Sequence, residues 1–169
     1  MPVNSATENN TGAPLERSGG LVLVAAVFLL AICGLAYELI AGTLSSYLLG
    51  DSVTQFSLVI GLFLTAMGVG SFLSRFVHGN LLAWLAGVEL AVGVVGGVMA
   101  LLGFTAFTYS NIYIPVLLSN VLAVGVLVGL EIPLLVRILR DVIALRITLA
   151  HVFSADYLGA LVASLIFPF

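Results

Sequence analysis

Long apolar runs separated by short polar turns form the main pattern of the chain. Five such runs follow a polar N-terminal segment, and they cover residues 21–49, 56–73, 81–107, 112–136 and 152–169. A transmembrane helix needs about 20 predominantly apolar residues to cross the hydrocarbon core, and the backbone there is satisfied only in helices or closed barrels. The pattern therefore predicts an all-α, multipass transmembrane helical bundle of about five spans.

The two ends of the chain depart from this pattern. Residues 1–20 are rich in Asn, Ser, Thr and Gly, so we expect a disordered polar tail before a helical domain over residues 21–169. The first apolar run is longer than the core of a signal peptide, which favours an uncleaved first span. The last run is still apolar at Phe169 with no charged anchor after it, so we expect a chain cut within its fifth span.

The composition agrees with a membrane protein. Hydrophobic residues make up 62% of the chain and charged residues 8%, whereas a soluble domain carries about 25% charged residues. This balance excludes an ordinary soluble enzyme, a disordered protein and a disulfide-stapled secreted domain. The five basic residues are too few for a nucleic-acid footprint, so no nucleic-acid partner is expected.

The arginines set the expected orientation. They lie at the ends of the apolar runs and are Arg17, Arg75, Arg137, Arg140 and Arg146. If the spans alternate up and down, all five fall on one side of the membrane, and positive charge is retained on the cytoplasmic side. We therefore predict a cytoplasmic N-terminus.

Pairs of small residues four positions apart occur in every apolar run. They are Gly42 and Ser46, Ala66 and Gly70, Gly93 and Gly97, Gly125 and Gly129, and Gly159 and Ala163. Small residues at this spacing let helix backbones approach closely in a membrane. Together the pairs favour a compact bundle over separate anchors.

Three glutamates lie inside the apolar runs, where an ionisable residue costs roughly 2.5–3.5 kcal/mol and often marks a site. At 1.5 Å per residue, Glu38 is expected ~27 Å beyond Gly20, near the outer face. Glu89 and Glu131 fall at similar depth on two other spans, and together they would be able to hold a proton or a cationic amine. Alternatively, each glutamate is protonated or hydrogen-bonded and only locks helix packing.

The most polar part of the predicted outer face covers residues 42–55. With Asp51 and Glu38, this stretch would line an outward-facing pocket. The alternative is a span end and a turn, in which Asp51 or Ser52 caps the second helix. The candidate residues for binding a substrate or ion are therefore Glu38, Asp51, Glu89 and Glu131.

The sequence carries no pattern typical of a catalytic centre. The two histidines and the single cysteine are far apart, so a metal site is not expected. There is no Ser and His spacing typical of nucleophilic catalysis and no glycine-rich phosphate loop after a strand. We therefore assign no catalytic residue, metal or cofactor to these 169 residues.

Three blocks of the chain resemble a known family. They are YELIAGTLSSYLLGDSVTQFSLVIGLFLTAMGVGSFLSRF over residues 37–76, GLEIPLLVRIL over 129–139 and DYLGALVASLIFPF over 156–169. These blocks are similar to the membrane-embedded domain of bacterial membrane-bound spermidine synthase-like proteins. The resemblance implies a multipass protein of the bacterial cell membrane whose helices precede an aminopropyltransferase domain with a methyltransferase-like Rossmann fold. In that family, the second domain would transfer an aminopropyl group from decarboxylated S-adenosylmethionine to putrescine.

Two functional hypotheses follow from the resemblance and the glutamates. In the first, the chain is the truncated N-terminal membrane domain of a spermidine synthase-like protein, not catalytic by itself, and acts as an anchor or polyamine-coupling module. Its partners would be the lipid bilayer and the missing aminopropyltransferase domain, with a homo-oligomer left open. In the second, the chain is a small polyamine or cation transporter subunit that uses its intramembrane glutamates. A third hypothesis is a structural partner of another membrane protein, bound through the glycine faces.

Overall fold

The computed structural model describes the backbone of residues 13–108, 112–140 and 145–169, and side chains over 21–22, 24–108, 112–138 and 150–169. Within these residues the fold is all-α, as predicted. The helices are α1 (Ala13–Leu49), α2 (Ser52–Leu73), α3 (Leu81–Gly97), α4 (Met99–Phe107), α5 (Tyr113–Arg140) and α6 (Leu145–Ile166). One 3-10 turn, Ser74–Phe76, follows α2.

Four hydrophobic stretches in the described parts of the chain are long and apolar enough to cross a membrane. They are Val24–Leu49, Ser52–Phe76, Leu81–Phe107 and Tyr113–Ile138. A fifth apolar helix, Ala150–Ile166, is shorter. The prediction of a helical bundle with about five apolar segments is confirmed, while the direction in which the chain enters the membrane stays a prediction.

Three helix boundaries differ from those expected from the sequence. The first helix begins at Ala13 rather than at residue 21, so its first turns include polar and charged residues. The expected disordered tail therefore overlaps α1 at residues 13–20, and residues 1–12 lie outside the described part of the chain. Later in the chain, α5 continues to Arg140 and α6 already begins at Leu145.

A tight turn joins α1 to α2. Gly50 and Asp51 both have positive φ, 74° and 44°, which Gly and Asp tolerate better than most residues. The Asp51 carboxylate accepts hydrogen bonds from the Thr54 hydroxyl at 2.6 Å and the Thr54 N–H at 3.5 Å. The buried Ser45 hydroxyl also donates to Gln55 Oε1 at 2.6 Å. These bonds fix α2 antiparallel to α1.

Arg137 ties the end of α2 to α5. Its guanidinium donates to the carbonyl oxygens of Ser74 at 3.1 Å and Val77 at 2.9 Å. Carbonyls at the end of a helix have no partner within the helix, and a cation there also complements the helix dipole. Arg137 thus supplies the hydrogen bonds that the turn after α2 needs.

The third hydrophobic span is made of two helices, α3 and α4. The helix is interrupted at Val98, directly after the pair Gly96 and Gly97. Glycine pairs are frequent sites of helix kinks because they add no side-chain packing to the turn. Gly96 lies against the ring of Tyr37, and Gly103 lies against Leu44, so α3 and α4 together run parallel to α1.

Helix α5 occupies the centre of the bundle and packs against each of the other five α-helices. It contributes Val121 and Val124 to one cluster of buried apolar residues, and Leu134 and Leu135 to a second. The Tyr113 hydroxyl at its start donates to the Leu44 carbonyl at 3.4 Å. Because Tyr113 meets the C-terminal part of α1, α5 runs antiparallel to α1.

Close backbone approach at small residues holds α2 against α5. A Cβ added at Gly129 would collide with the Met67 backbone, and one added at Gly70 would collide with the Val126 carbonyl oxygen. At Gly125, an added Cβ would lie 2.7 Å from the Ala66 Cβ. Two of the small-residue pairs predicted from the sequence therefore meet each other.

The other small-residue pairs differ in their use. Gly42 lies against the Phe56 ring, and Gly159 lies against the backbone of Phe28 on α1. Gly93 and Gly97, in contrast, have open space where a side chain would be added. Those two glycines do not pack against another described helix.

The glycine contact between α2 and α5 predicts a stability difference between two alanine variants. Gly129→Ala should destabilise the protein by roughly 1–3 kcal/mol, because the added methyl group overpacks a backbone contact. Gly68→Ala is the matched control, since Gly68 lies on α2 with nothing within 4 Å of an added Cβ. The measurement is the midpoint of unfolding in mixed detergent micelles. Equal midpoints for the two variants would contradict this packing.

Candidate functional site: an acidic cavity

A cavity of about 200 Å³ lies among α1, α2, α5 and α6. Most of its wall is apolar and includes Val27, Leu30, Phe63, Met67 and Leu135. Three carboxylates also line it: Glu38 from α1, Glu131 from α5 and Asp156 from α6. We call this space the acidic cavity.

Glu131 is the most deeply buried of these carboxylates. Only 4% of the residue is exposed, and none of the described residues donates a hydrogen bond to its carboxylate. Two residues later, Pro133 lies inside α5 and has no N–H to donate to the Gly129 carbonyl. Within one turn, α5 therefore has a buried carboxylate, that of Glu131, and a backbone carbonyl, that of Gly129, which lacks its usual N–H donor in the helix.

Glu89 lies near Glu131 but outside the acidic cavity. It is on α3, which packs against α5. Its Oε1 atom is buried and has no hydrogen-bond partner among the described residues. Gly96 lies against Tyr37 and Gly34 lies against Val128, so counting along the helices puts the two glutamates at a similar level, but only Glu131 lines the cavity.

The structure places Glu38 and Asp51 apart. Glu38 is eleven residues before the end of α1 at Leu49, ~16 Å by the helical rise, so the expectation that it lies near the outer face is wrong. The reason is that α1 and its apolar span extend well beyond Glu38. Asp51 is exposed and caps α2, which is the alternative role that the sequence offered for it.

Asp156 lines the cavity although it was not among the candidate residues drawn from the sequence. It lies on the same face of α6 as Gly159 and Ala163, at the spacing of residues that share a helix face. Gly159 contacts Phe28 and Ala31 of α1, so this face turns toward α1. An acidic residue one turn before a small-residue pair was the signal that could have identified it.

The described arginines do not neutralise the acidic cavity. The Arg137 guanidinium binds the carbonyls at the end of α2, and Arg75 lies over the Phe72 ring, 3.6 Å from its centroid. The other three arginines have side chains outside the described part of the chain.

The chemistry open to this site is the binding of a proton or a cation. Carboxylates in an apolar environment are costly when charged, so a bound proton or cation stabilises them. The residues that the structure describes contain no cluster of three or more His, Cys, Asp or Glu arranged for a metal ion. Cys33, on α1, is a free thiol at the surface.

The fold and the cavity define a class of protein: an α-helical bundle of membrane-length helices with carboxylates in its interior. Comparison with curated proteins then gives the relationship. The chain is 51% identical over 158 residues to polyamine aminopropyltransferase 1 of Ralstonia nicotianae, which covers 92% of this chain. It is 45% identical to the polyamine aminopropyltransferase of Leptospira interrogans over 86% of this chain, and 39% identical to polyamine aminopropyltransferase 1 of Streptomyces coelicolor over 99%.

The chain spans about 30% of the length of these curated relatives. The resemblance seen in the sequence is therefore confirmed: over most of its length, the chain is homologous to one part of polyamine aminopropyltransferases. No protein-family profile and no solved structure matches the chain.

The two roles considered for Glu131 predict opposite changes in stability. If its carboxylate serves a ligand, Glu131→Leu should stabilise the ligand-free protein by roughly 1–3 kcal/mol, because a buried carboxylate is replaced by an apolar side chain. If the carboxylate locks helix packing, the same variant should lower the unfolding midpoint.

Asn120→Leu provides the comparison for this measurement. Asn120 is also buried on α5, but its side-chain amide donates to the Val95 carbonyl at 3.3 Å. Losing that bond leaves the Val95 carbonyl without its side-chain donor. The substitution also removes the buried Asn120 Oδ1 atom, which has no partner among the described residues, so Asn120→Leu should destabilise the protein by about 1 kcal/mol. Both variants are compared with the wild type in one detergent by thermal unfolding. A fall in stability for Glu131→Leu as large as that for Asn120→Leu would contradict a ligand role.

Proposed function

We propose that this chain is the membrane-embedded N-terminal domain of a spermidine synthase-like protein and holds an aminopropyltransferase domain at the bacterial cell membrane. The observation that carries the proposal is that the region shared with polyamine aminopropyltransferases includes the helices of membrane length. The region shared with polyamine aminopropyltransferases covers 86–99% of the chain in the relatives named above. That region therefore contains the four helices of membrane length.

The outward faces of the helices support placement in a bilayer. Large apolar side chains on the outside of several helices are strongly exposed, among them Leu64 at 59%, Leu90 at 71% and Leu101 at 65%. In water, apolar surface costs roughly 25 cal/mol per Å², so faces of this kind favour association or aggregation. In hydrocarbon the same side chains carry no such cost.

The catalytic work of such a protein would lie in its other domain. In aminopropyl transfer, a neutral amine attacks a carbon next to a sulfonium, so the enzyme must position and deprotonate that amine. The described residues form no closed polar pocket that holds both reactants. The role of this chain is thus to place the transferase at the membrane and to couple polyamines to it through the acidic carboxylates.

This proposal predicts where transferase activity is found. The native reading frame should continue past Phe169 through further spans into a Rossmann-type domain, and the intact mass of the protein from membranes should agree with that length. Activity with putrescine and decarboxylated S-adenosylmethionine should sediment with membranes and resist carbonate extraction. A version that consists of the Rossmann-type domain alone should move the activity to the soluble fraction.

A stop codon after Phe169 in the native gene, together with an intact mass of 17.6 kDa, would contradict the proposal. Full activity in the soluble fraction of cells that make the whole protein would contradict the anchoring role. A catalytically inactive variant of the second domain serves as the control for background transferase activity.

A second candidate function, polyamine or cation transport, is favoured by one observation. Carboxylates from three helices line one cavity within the bundle, and a fourth, Glu89, lies beside them. Intramembrane carboxylates of this kind often mark ion or substrate pathways. The transport hypothesis requires the cavity to exchange its ligand with both sides of the membrane.

Transport predicts flux that depends on the interior glutamates. In proteoliposomes, uptake of radiolabelled putrescine should disappear in Glu89→Gln and Glu131→Gln, while both variants keep the helical content of the wild type. Asp51→Asn is the control, because it removes the same charge from an exposed capping position. Unchanged flux in the two glutamine variants would remove this candidate.

A further inference from the structure

Three carboxyl groups, those of Glu38, Glu131 and Asp156, line the acidic cavity. The two arginines whose side chains the structure describes, Arg75 and Arg137, lie against an aromatic ring and backbone carbonyls instead. Glu131 is 96% buried and accepts no hydrogen bond from the described residues. A buried carboxylate without partners is a strong acceptor for a cation that enters the same space.

Contacts between α1 and α5 give the relative depth of two of the carboxylates. Gly34 faces Val128, with the Val128 Cγ1 atom 3.4 Å from an added Cβ. Because the two helices are antiparallel, Glu131 lies near the level of Ala31, three residues before Gly34. Glu38 is seven residues beyond Ala31, which separates it from Glu131 by ~10 Å along the helix axis.

Helix α6 places Asp156 at the Glu131 end of the cavity. Gly159 lies against Phe28 and Ala31 of α1, so it is near the level of Glu131. Asp156 is three residues earlier, within about one helical turn, ~5 Å. Two carboxylates thus lie near one end of the cavity and one near the other, with apolar wall between them.

We infer that the acidic cavity binds a linear alkylamine that carries at least two ammonium groups. One ammonium group pairs with Glu131 and Asp156, the other pairs with Glu38, and the alkyl chain lies against the apolar wall. A single hard metal ion fits less well, because Ca²⁺ takes six to eight oxygen ligands in one place. The inference deepens the proposed polyamine coupling and rests on the membrane placement of that proposal, but not on aminopropyl transfer.

The test is ligand binding to the full chain in lipid nanodiscs, measured by calorimetry. The probes are 1,8-diaminooctane, whose extended length matches the separation of the carboxylates, the shorter 1,4-diaminobutane, and 1-aminooctane with a single ammonium group. We expect 1,8-diaminooctane to bind at least about tenfold more tightly than 1-aminooctane, which corresponds to one lost ion pair, with 1,4-diaminobutane between them.

Single substitutions show which carboxylates bind the diamine. Glu131→Gln, Asp156→Asn and Glu38→Gln should each weaken binding of 1,8-diaminooctane by about tenfold or more. Only Glu38→Gln should also remove the preference over 1-aminooctane, because the far ammonium group then has no partner. Asp51→Asn is the matched control and should bind like the wild type.

A ligand that binds only the native state also raises the unfolding midpoint, which provides a second measurement. 1,8-Diaminooctane should raise the midpoint of the wild type and of Asp51→Asn but not that of Glu131→Gln. If Glu131→Gln does not fold, the test rests on Glu38→Gln, which should lose the preference for 1,8-diaminooctane over 1-aminooctane.

The inference would be overturned by no binding of 1,8-diaminooctane to the wild type, by equal binding of 1-aminooctane, or by equal weakening of binding in Asp51→Asn. Tighter binding of Na⁺ or K⁺ than of any amine would also overturn it. These outcomes are independent of where transferase activity sediments, so failure of the binding site and failure of the anchoring role are distinguishable.

Discussion

The close approach of α2 to α5 is the contact on which the rest of the bundle depends. Helices in hydrocarbon gain little from the hydrophobic effect, so their association rests on packing and polar contacts. Gly70, Gly125 and Gly129 allow backbone contact between the two helices, which any larger side chain would prevent. With α5 fixed in this way, α1, α3, α4 and α6 pack around it, and Glu131 is held in the interior.

The contact between α2 and α5 also sets the position of the carboxyl group in the interior of the bundle. Glu131 lies on the central helix, two residues after Gly129, so the contact that joins α2 to α5 also fixes the depth of the carboxylate. Glu38 and Asp156 reach the same cavity from α1 and α6. Apolar side chains of similar size at these positions would avoid the cost of burying carboxylates. The carboxylates at these positions are the basis of the proposed binding role.

Much of the fold could be predicted because it follows from local pattern. Apolar runs of membrane length predict the helices, and small residues four apart predict a compact bundle, which the structure shows most clearly between α2 and α5. The extension of α1 to Ala13 could not be predicted, because polar residues before an apolar run are compatible with either helix or coil. The depth of Glu38 was wrong for a related reason: it depends on where α1 ends, and the polar residues after Glu38 belong to the helix.

The candidate site was predictable only in part. Glu89 and Glu131 fall at similar depth by counting residues, and the helix contacts put them at a similar level. Which of them faces the cavity depends on how α3 and α5 are rotated against their neighbours, and single-chain periodicity does not contain that information. Asp156 was missed as a cavity residue because a carboxylate near the start of an apolar run is usually a cap.

The measurement that tests the account most directly is a side-chain-resolution cryo-EM map of the full-length protein in lipid nanodiscs. The account predicts a lipid belt around α1 to α5 and a Glu131 carboxylate that faces the acidic cavity with Glu38 and Asp156, without an arginine among them. A map in which these helices lie outside the lipid belt would contradict it. So would one in which an arginine side chain fills the cavity and pairs with Glu131.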